Sequence, residues 1–510
     1  MIPILTSGES AELDRRSRDR GVTVDRLMEN AGRAVARVVS EVLGGTYGRR
    51  AAVVCGKGNN GGDALVAGRY LERWGARVTA VLVTDPAAFR DDAATNLRRF
   101  EGAGGRVRPF EPSTARREIH RADVVIDGIF GTGFRGSPEG VHRRAIEAIN
   151  DADVPVVAVD IPSGVEGDSG SVRDVAVMAD ATVTFGAPKP GVVFFPGAAH
   201  AGIPHVVDIG FPADLVTSQL WLLERADVAR LLPRRQDETH KRSAGVVLVL
   251  AGSRAMTGAA ALVAQAAYRA GAGLVTVAVP RSVLPIVEGL ITEATFVPLD
   301  ETEEGTVADS AWSVLRGRLD DVDAVALGPG LTTHPSTIDL VRRTVAEAPA
   351  PLIVDADALN AFAGHGGHLA RRRATAVITP HAGEFARLTG VPAADVAADR
   401  VALARKAATE FDCVVVLKGS RTVVADPDGR AVVSPTGGPF LATAGTGDVL
   451  TGTIGAFLAG GMGPADAAAA GAFVHGLAGR IAAREIGPGV IASDVMARLP
   501  AAATEIVQER

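Results

Sequence analysis

Apolar runs of strand length alternate with helical lengths along nearly all of this chain, and the pattern falls into two series. Residues 10–43 carry helical spacing, with Val24, Leu27, Met28, Ala31 and Val35 on one face. The apolar run 51–55 predicts a short buried strand, residues 56–63 a turn, 64–74 a helix and 77–83 the next strand, together one β-α-β unit. Strands are also predicted over 122–128, 154–160, 181–186 and 205–209, the first two carrying Asp127 and Asp160 at their carboxyl ends. Ligands of open α/β sheets bind outside those ends, so Asp127, Asp160 and Asn60 are expected to face one crevice.

The polar stretch 233–243 breaks the pattern. A second series opens with a strand over 245–253, which runs into a turn at Gly258 and an alanine-rich helix to about residue 270. Further strands are predicted over 274–279, 324–327, 352–355, 376–378 and 413–417. Such alternation argues for a mostly parallel sheet covered by helices on both faces. The reading is an α/β protein of two domains, 1–215 and 216–510, with the boundary near residues 210–222.

Composition sharpens this picture in three ways. At 510 residues the chain exceeds one ordinary core, and with 47% hydrophobic and 22% charged residues it has the balance of a soluble globular protein. Its 53 basic and 59 acidic residues leave a formal charge of −6, which excludes general attraction to nucleic acid or an anionic membrane. Any phosphate site must therefore be local. The two cysteines, Cys55 and Cys413, lie in different halves within strand-like runs, so neither a disulfide framework nor a zinc cluster is available and a reducing cytoplasm is expected. Residues 1–6 lack a secretory profile, and the alanine-rich stretch 454–473 is interrupted by glycines, Pro464 and Asp466, so packed soluble helix is expected there.

The strongest chemical signal is Ala442-Thr-Ala-Gly445-Thr-Gly447-Asp448-Val-Leu-Thr-Gly452. Glycines let backbone N–H groups approach an anion, and the helix that follows adds its positive N-terminal dipole. Asp448 then stands where a phosphoryl-transfer base is needed. A tight turn capping a buried helix uses the same residues, so the stretch gains weight from its company.

In the first half, Gly56-Lys-Gly58-Asn-Asn-Gly61 satisfies a dinucleotide fingerprint, with Asp85 about 20 residues on, and a hydride-transferring domain stays open as an alternative. The asparagines and Asp63 suit a cation and sugar hydroxyls better than a pyrophosphate. Asn60, Asp127 and Ser163 offer an all-oxygen set for a hard cation. Gly131-Thr132-Gly133-Phe134-Arg135-Gly136-Ser137 is a second glycine-rich loop, whose arginine can hold phosphate.

Gly58-Asn-Asn-Gly-Gly-Asp63, Asp127-Gly-Ile-Phe-Gly-Thr-Gly133 and Asp160-Ile-Pro-Ser-Gly164 together resemble the epimerase domain of the NAD(P)H-hydrate repair enzymes. The resemblance implies a Rossmann-like three-layer sandwich with K⁺ held by Asn60, Asp127 and Ser163. It implies a dinucleotide on Asn59, Asn60, Gly61, Gly62, Asp63, Gly131, Thr132, Gly133, Phe134, Arg135, Gly136, Ser137 and Asp160, with Asp160 in acid/base work. Ala64 departs from the glycine common after Asp63.

The second half resembles the ribokinase-like dehydratase domain of the same family through His240-Lys241, Leu250-Ala-Gly-Ser253, Gly328-Pro-Gly330, Asp355-Ala-Asp-Ala-Leu-Asn360, Thr379-Pro-His381-Ala-Gly-Glu384, Leu417-Lys418-Gly-Ser and Gly445-Thr-Gly-Asp448. Arg242 and Gly438 depart from its common pattern. This likeness implies catalysis by Asp448, a nucleotide on Lys418, Gly419, Ser420, Arg421, Thr422 and Gly447, and a hydrated dinucleotide against Ala259, Gly330 and His381. ADP with Mg²⁺ is the implied donor, hydrated NADH or NADPH the substrate, and a homo-oligomer the expected assembly. A vitamin kinase that releases its phosphorylated product, and a merely binding first half, are the competing readings.

Overall fold

The computed structural model describes residues 1–233, 238 and 240–508, so residues 234–237 and 239 of the predicted polar break lie outside the described residues. The chain folds into two compact units, Ile2–Ser218 and Gln219–Arg510, with Met1 belonging to the second.

The sheet of the first unit has seven strands among the described residues: β1 (Arg50–Cys55), β2 (Arg77–Leu82), β3 (Arg106–Pro109), β4 (Val124–Gly128), β5 (Val156–Val159), β6 (Ala181–Phe185) and β7 (Ile203–Val207). They lie in the order β3-β2-β1-β4-β5-β6-β7, all parallel, with Val54 opposite Asp127. Strands buried on both faces need unbroken apolar runs, and Val53, Val54, Val125 and Ile126 are all fully buried. Helices Val24–Leu43, Asn59–Arg73 and Asp91–Gly102 cover one face, Pro112–His120 and Gly140–Asn150 the other, which completes the three-layer sandwich. The strand order reverses between β1 and β4, where a doubly wound sheet opens its crevice.

Two local expectations change. The single helix over 10–43 is two, Ser7–Asp19 and Val24–Leu43, because Gly21 turns left-handed at φ 83° and the Thr23 hydroxyl caps the second helix by accepting from the Arg26 amide. The helix after β1 begins at Asn59, so residues 59–63 form its first turns instead of a loop. Gly61 permits this: a Cβ there would stand 1.9 Å from the Gly56 carbonyl oxygen. Strand β3 escaped notice since Arg106 and Arg108 break the apolar run.

In the second unit, β8 (Leu220–Leu222), β9 (Val246–Leu250), β10 (Leu274–Pro280), β11 (Thr295–Leu299), β12 (Ala324–Leu327), β13 (Leu352–Val354), β14 (Ala376–Ile378), β15 (Val414–Leu417), β16 (Thr422–Ala425) and β17 (Ala431–Ser434) share one sheet. Their order is β8-β17-β16-β15-β14-β13-β12-β9-β10-β11. From β11 to β15 neighbours are parallel, whereas β15, β16 and β17 form an antiparallel meander that the sequence pattern did not announce. The stretch 454–473 is shared between two helices, Thr446–Ala459 and Pro464–Ile486, interrupted by Gly460 to Gly463. Helix Thr446–Ala459 lies directly on helix Thr257–Ala270: a Cβ on Gly452 would come 2.1 Å from the Val263 carbonyl oxygen. No described helix is long and apolar enough to cross a membrane.

Candidate active sites

In the first unit a cleft opens at the carboxyl ends of the strands, lined by Asn59, Asn60, Asp63, Gly131, Thr132 and Asp160 together with Asp14, Arg18, Met28, Phe185 and Lys189. Asp160 follows β5 in the left-handed region at φ 62°, a conformation aspartate tolerates better than most residues. Its Oδ1 lies 2.5 Å from the Lys189 ammonium, which is 3% exposed. Asp63 is buried on the facing helix, and burial, then Asp160 and Asp14, push its carboxyl well above the usual range. Asp14 lies exposed at the rim, and partial desolvation and Asp160 also raise it.

Asn60 and Ser163 meet at the backbone of Phe130, and Asp127 joins them through Ser163. Asn60 Nδ2 donates to the Phe130 carbonyl at 2.8 Å, and the Phe130 N–H donates to Ser163 Oγ at 2.9 Å. Asp127, fully buried, accepts from the Ser163 hydroxyl at 2.6 Å, the Ser163 amide at 2.7 Å and the Ile129 amide at 3.2 Å. Burial outweighs these bonds and pushes its carboxyl up to about 6. Among the described residues no cation pairs with it, and no cluster of three His, Cys, Asp or Glu stands ready for a metal. A buried carboxylate among oxygen donors and without a counter-charge suits a hard cation.

The loop after β4 divides. Gly131 and Thr132 reach the cleft, while Phe134 stacks on Phe130 at 4.5 Å and Gly136 donates to Glu166 Oε1 at 3.1 Å. The Arg135 guanidinium pairs with Asp168 and donates to the carbonyls of Thr132 and Phe134. Gly133 and Ser137 do not line the cleft.

In the second unit Gly445, at φ 87°, caps helix Thr446–Ala459 and sets Asp448 in its first turn. Below it Lys418 Nζ pairs with Asp355 Oδ1 at 2.8 Å and Glu384 Oε2 at 3.6 Å, while the Thr451 hydroxyl donates to Asp355 Oδ2 at 2.8 Å. Burial works against the charge on Lys418, but Asp355 and Glu384 outweigh it and hold the ammonium above its ordinary value. Burial first, then Asp355, Asp357 and Glu384 against the pull of Lys418, push the Asp448 carboxyl up to about 7. Such an acid titrates where a general base has most use.

The other predicted residues gather around this point. A Cβ on Gly330 would meet Ala259 Cβ at 3.1 Å, and one on Gly328 the Asp355 carbonyl oxygen at 1.8 Å, so the Gly328-Pro-Gly330 turn links the expected dinucleotide residues to the acid cluster. Lys418, Gly419, Ser420 and Arg421 form the turn between β15 and β16, which Thr422 opens, with Arg400 donating to the carbonyls of Leu417 at 2.8 Å and Lys418 at 3.0 Å. His381 caps helix Ala382–Thr389: Nδ1 accepts from the amides of Gly383 at 3.0 Å and Glu384 at 3.2 Å, leaving the ring half exposed. Sequence reasoning missed Lys189, Asp14 and the pairing of Asp355 and Glu384 on Lys418. A lone lysine inside the apolar stretch Thr182-Val-Thr-Phe-Gly-Ala-Pro-Lys189-Pro-Gly-Val-Val was the one available signal.

Two family matches fall one in each unit. Residues 24–191 match the YjeF-related protein N-terminus, and residues 247–501 match the NAD(P)H-hydrate dehydratase family. The bifunctional NAD(P)H-hydrate repair enzyme of Moorella thermoacetica is 44% identical over 507 residues, 98% of this chain and 96% of that one. Its counterpart in Thermofilum pendens is 43% identical over 495 residues, 96% of this chain and 94% of the relative. A ribokinase-like superfamily protein from Enterococcus faecalis V583 superposes with a TM-score of 0.50 at 22% identity, covering 57% of this chain and 98% of its own, which identifies the fold of the second unit. With two family matches in this order and relatives alike along nearly their whole length, the chain belongs to the family of bifunctional NAD(P)H-hydrate repair enzymes.

Proposed function

We propose that the chain repairs hydrated NADH and NADPH, its first unit interconverting the R and S epimers and its second dehydrating the S epimer with ADP. Hydroxide leaves the reduced ring poorly, whereas phosphate leaves readily. Asp448 accepts the proton of the ring hydroxyl as that oxygen bonds the β-phosphorus of ADP and the bond to the bridging oxygen breaks, releasing AMP. Gly445, Gly447 and the helix N-terminus stabilise the charge on the transferring group. The ring-nitrogen pair then expels phosphate, and loss of a proton from the adjacent carbon restores the dihydronicotinamide. Lys418 to Thr422 hold the nucleotide, and bound Mg²⁺ neutralises its phosphates. Ala259, Gly330 and His381 bound the dinucleotide site.

In the first unit Asp160 does the acid/base work at the damaged ring, and Asn59, Asn60 and Asp63 with Gly131 and Thr132, which line the cleft, receive the dinucleotide. Asn60, Asp127 and Ser163 hold K⁺, which supplies the positive charge that the buried Asp127 lacks.

The observation that carries this reading is the placement of Asp448 in the first turn of its helix, behind the Gly445 turn and beside the pair of Lys418 with Asp355, a setting that also raises its carboxyl. Purified protein given hydrated NADH and ADP is expected to restore dihydronicotinamide absorbance and to liberate phosphate and AMP in equal amounts. A stable phosphorylated dinucleotide would instead make the second unit an ordinary kinase.

A further inference from the structure

Lys189 has no part in the steps above, yet it is buried at the floor of the epimerase cleft. Its ammonium donates to Asp160 Oδ1 at 2.5 Å, the Phe185 carbonyl at 2.9 Å and Thr184 Oγ1 at 3.3 Å, which uses all three protons. Asp160 Oδ1 accepts in addition from the Phe185 amide at 3.1 Å and the Thr184 hydroxyl at 3.2 Å. All three bonds that the Asp160 carboxylate accepts fall on this one oxygen. Oδ2 accepts nothing among the described residues, and the side chain keeps 14% of its surface open, so Oδ2 is the oxygen left to the cleft. Asp63 lines that cleft too, buried, and its carboxyl takes no hydrogen bond among the described residues. Burial, Asp160 and Asp14 all favour a proton on Asp63, with Lys189 opposing. The remaining charged groups facing this point are Asp14 and Arg18 of helix Ser7–Asp19.

We infer that Lys189 makes the two carboxylates of this cleft unequal: it holds Asp160 as proton acceptor through Oδ1, and Asp63 carries the proton to be given away. The inference rests on the epimerase reading of the first unit. Interconversion at the hydrated carbon needs one proton delivered and one removed. Asp63 gives its proton to the departing hydroxyl, the C–O pair leaves with water, and the ring-nitrogen pair closes a C=N bond. Water then adds to the opposite face, the C=N pair returns to nitrogen, and Asp160 Oδ2 takes the released proton. The cycle ends with Asp63 ionised and Asp160 protonated, the arrangement that the opposite epimer requires. Lys189 is thus a positioning residue, acting through Asp160.

The test follows R-to-S interconversion by the full chain against pH for wild type, Lys189→Met, Lys189→Arg and Asp63→Asn. Lys189→Met is expected to lose about 10- to 100-fold in kcat near neutrality with KM changed by less than about threefold, and to move its acid limb to higher pH; Lys189→Arg, which keeps the charge, restores the limb. Asp63→Asn is expected to lose about 100-fold in kcat with KM nearly kept. An acid limb in Lys189→Met that coincides with wild type, or an Asp63→Asn with wild-type kcat, overturns the inference alone. Should Lys189→Met not fold, Asp63→Asn decides. A wild type that leaves the R epimer untouched overturns the epimerase reading and this inference with it.

Discussion

Lys418 Nζ stands 2.8 Å from Asp355 Oδ1, and the backbone of Gly447 lies over the pair, where a Cβ would come 3.4 Å from the ammonium and 3.7 Å from Asp355 Oδ2. The glycine turn thus rests on a buried ion pair joined by Glu384. Removing the cation leaves two buried carboxylates without compensation. Lys418→Met is therefore expected to cost about 3–5 kcal/mol of stability and to abolish ADP-dependent dehydration. Chemical denaturation measures the first, phosphate release the second; an unchanged unfolding midpoint would refute the energetic part.

Asp448→Asn separates activity from stability. As a general base Asp448 contributes about 100- to 10,000-fold, so the dehydration kcat should fall by that factor. In wild type the rate should decline as pH drops below about 7, where the carboxylate gains its proton. The folded value, about 7, stands above the unfolded 3.8, so the folded state binds more protons between them and stability declines as pH rises through that window. The asparagine variant should then melt higher than wild type at about pH 8, and the gap should close toward about pH 4. Thermal melts across pH check both signs.

Asp127 makes a prediction about salts. Replacing K⁺ by a large organic cation should slow epimerisation while dehydration of the S epimer continues. Asp127→Asn, which removes the buried charge, should weaken the dependence on K⁺. Rates indifferent to K⁺ in wild type would dismiss the cation site.

Gly61 and Gly58 form a controlled pair. Gly61→Ala would force a methyl to 1.9 Å from the Gly56 carbonyl oxygen, whereas a Cβ on Gly58 has nothing within 4 Å. The first should destabilise by about 1–3 kcal/mol and lose R-epimer conversion; the second should be nearly silent. Equal melting temperatures for the two variants would contradict the packing described for this turn.

Local chemistry was legible in the sequence and distant pairing was not. Asp448 behind Gly445 and Gly447 could be placed because one turn and one helix define the site within four residues. The central strands of both sheets were legible for a related reason: burial on both faces leaves continuous apolar runs. Lys189 and Asp160 are 29 positions apart, and Lys418 and Asp355 are 63 apart, so each pair exists only after strands meet. The same holds for Arg135, whose guanidinium a phosphate motif claims in sequence but Asp168 engages in the fold. Strands β16 and β17 went unnoticed because no helical length separates them from β15 or from each other, where the reading followed an alternation of strand and helix.

The seating of Gly452 against the Val263 carbonyl carries a lesson for anyone borrowing this site. No side chain at that position separates the helix of Asp448 from its neighbour, so the carboxylate inherits its location from two main chains in contact. Grafting Gly445-Thr-Gly-Asp448 alone onto another scaffold would transplant the letters without the geometry. The smallest portable unit is the turn with both of its helices.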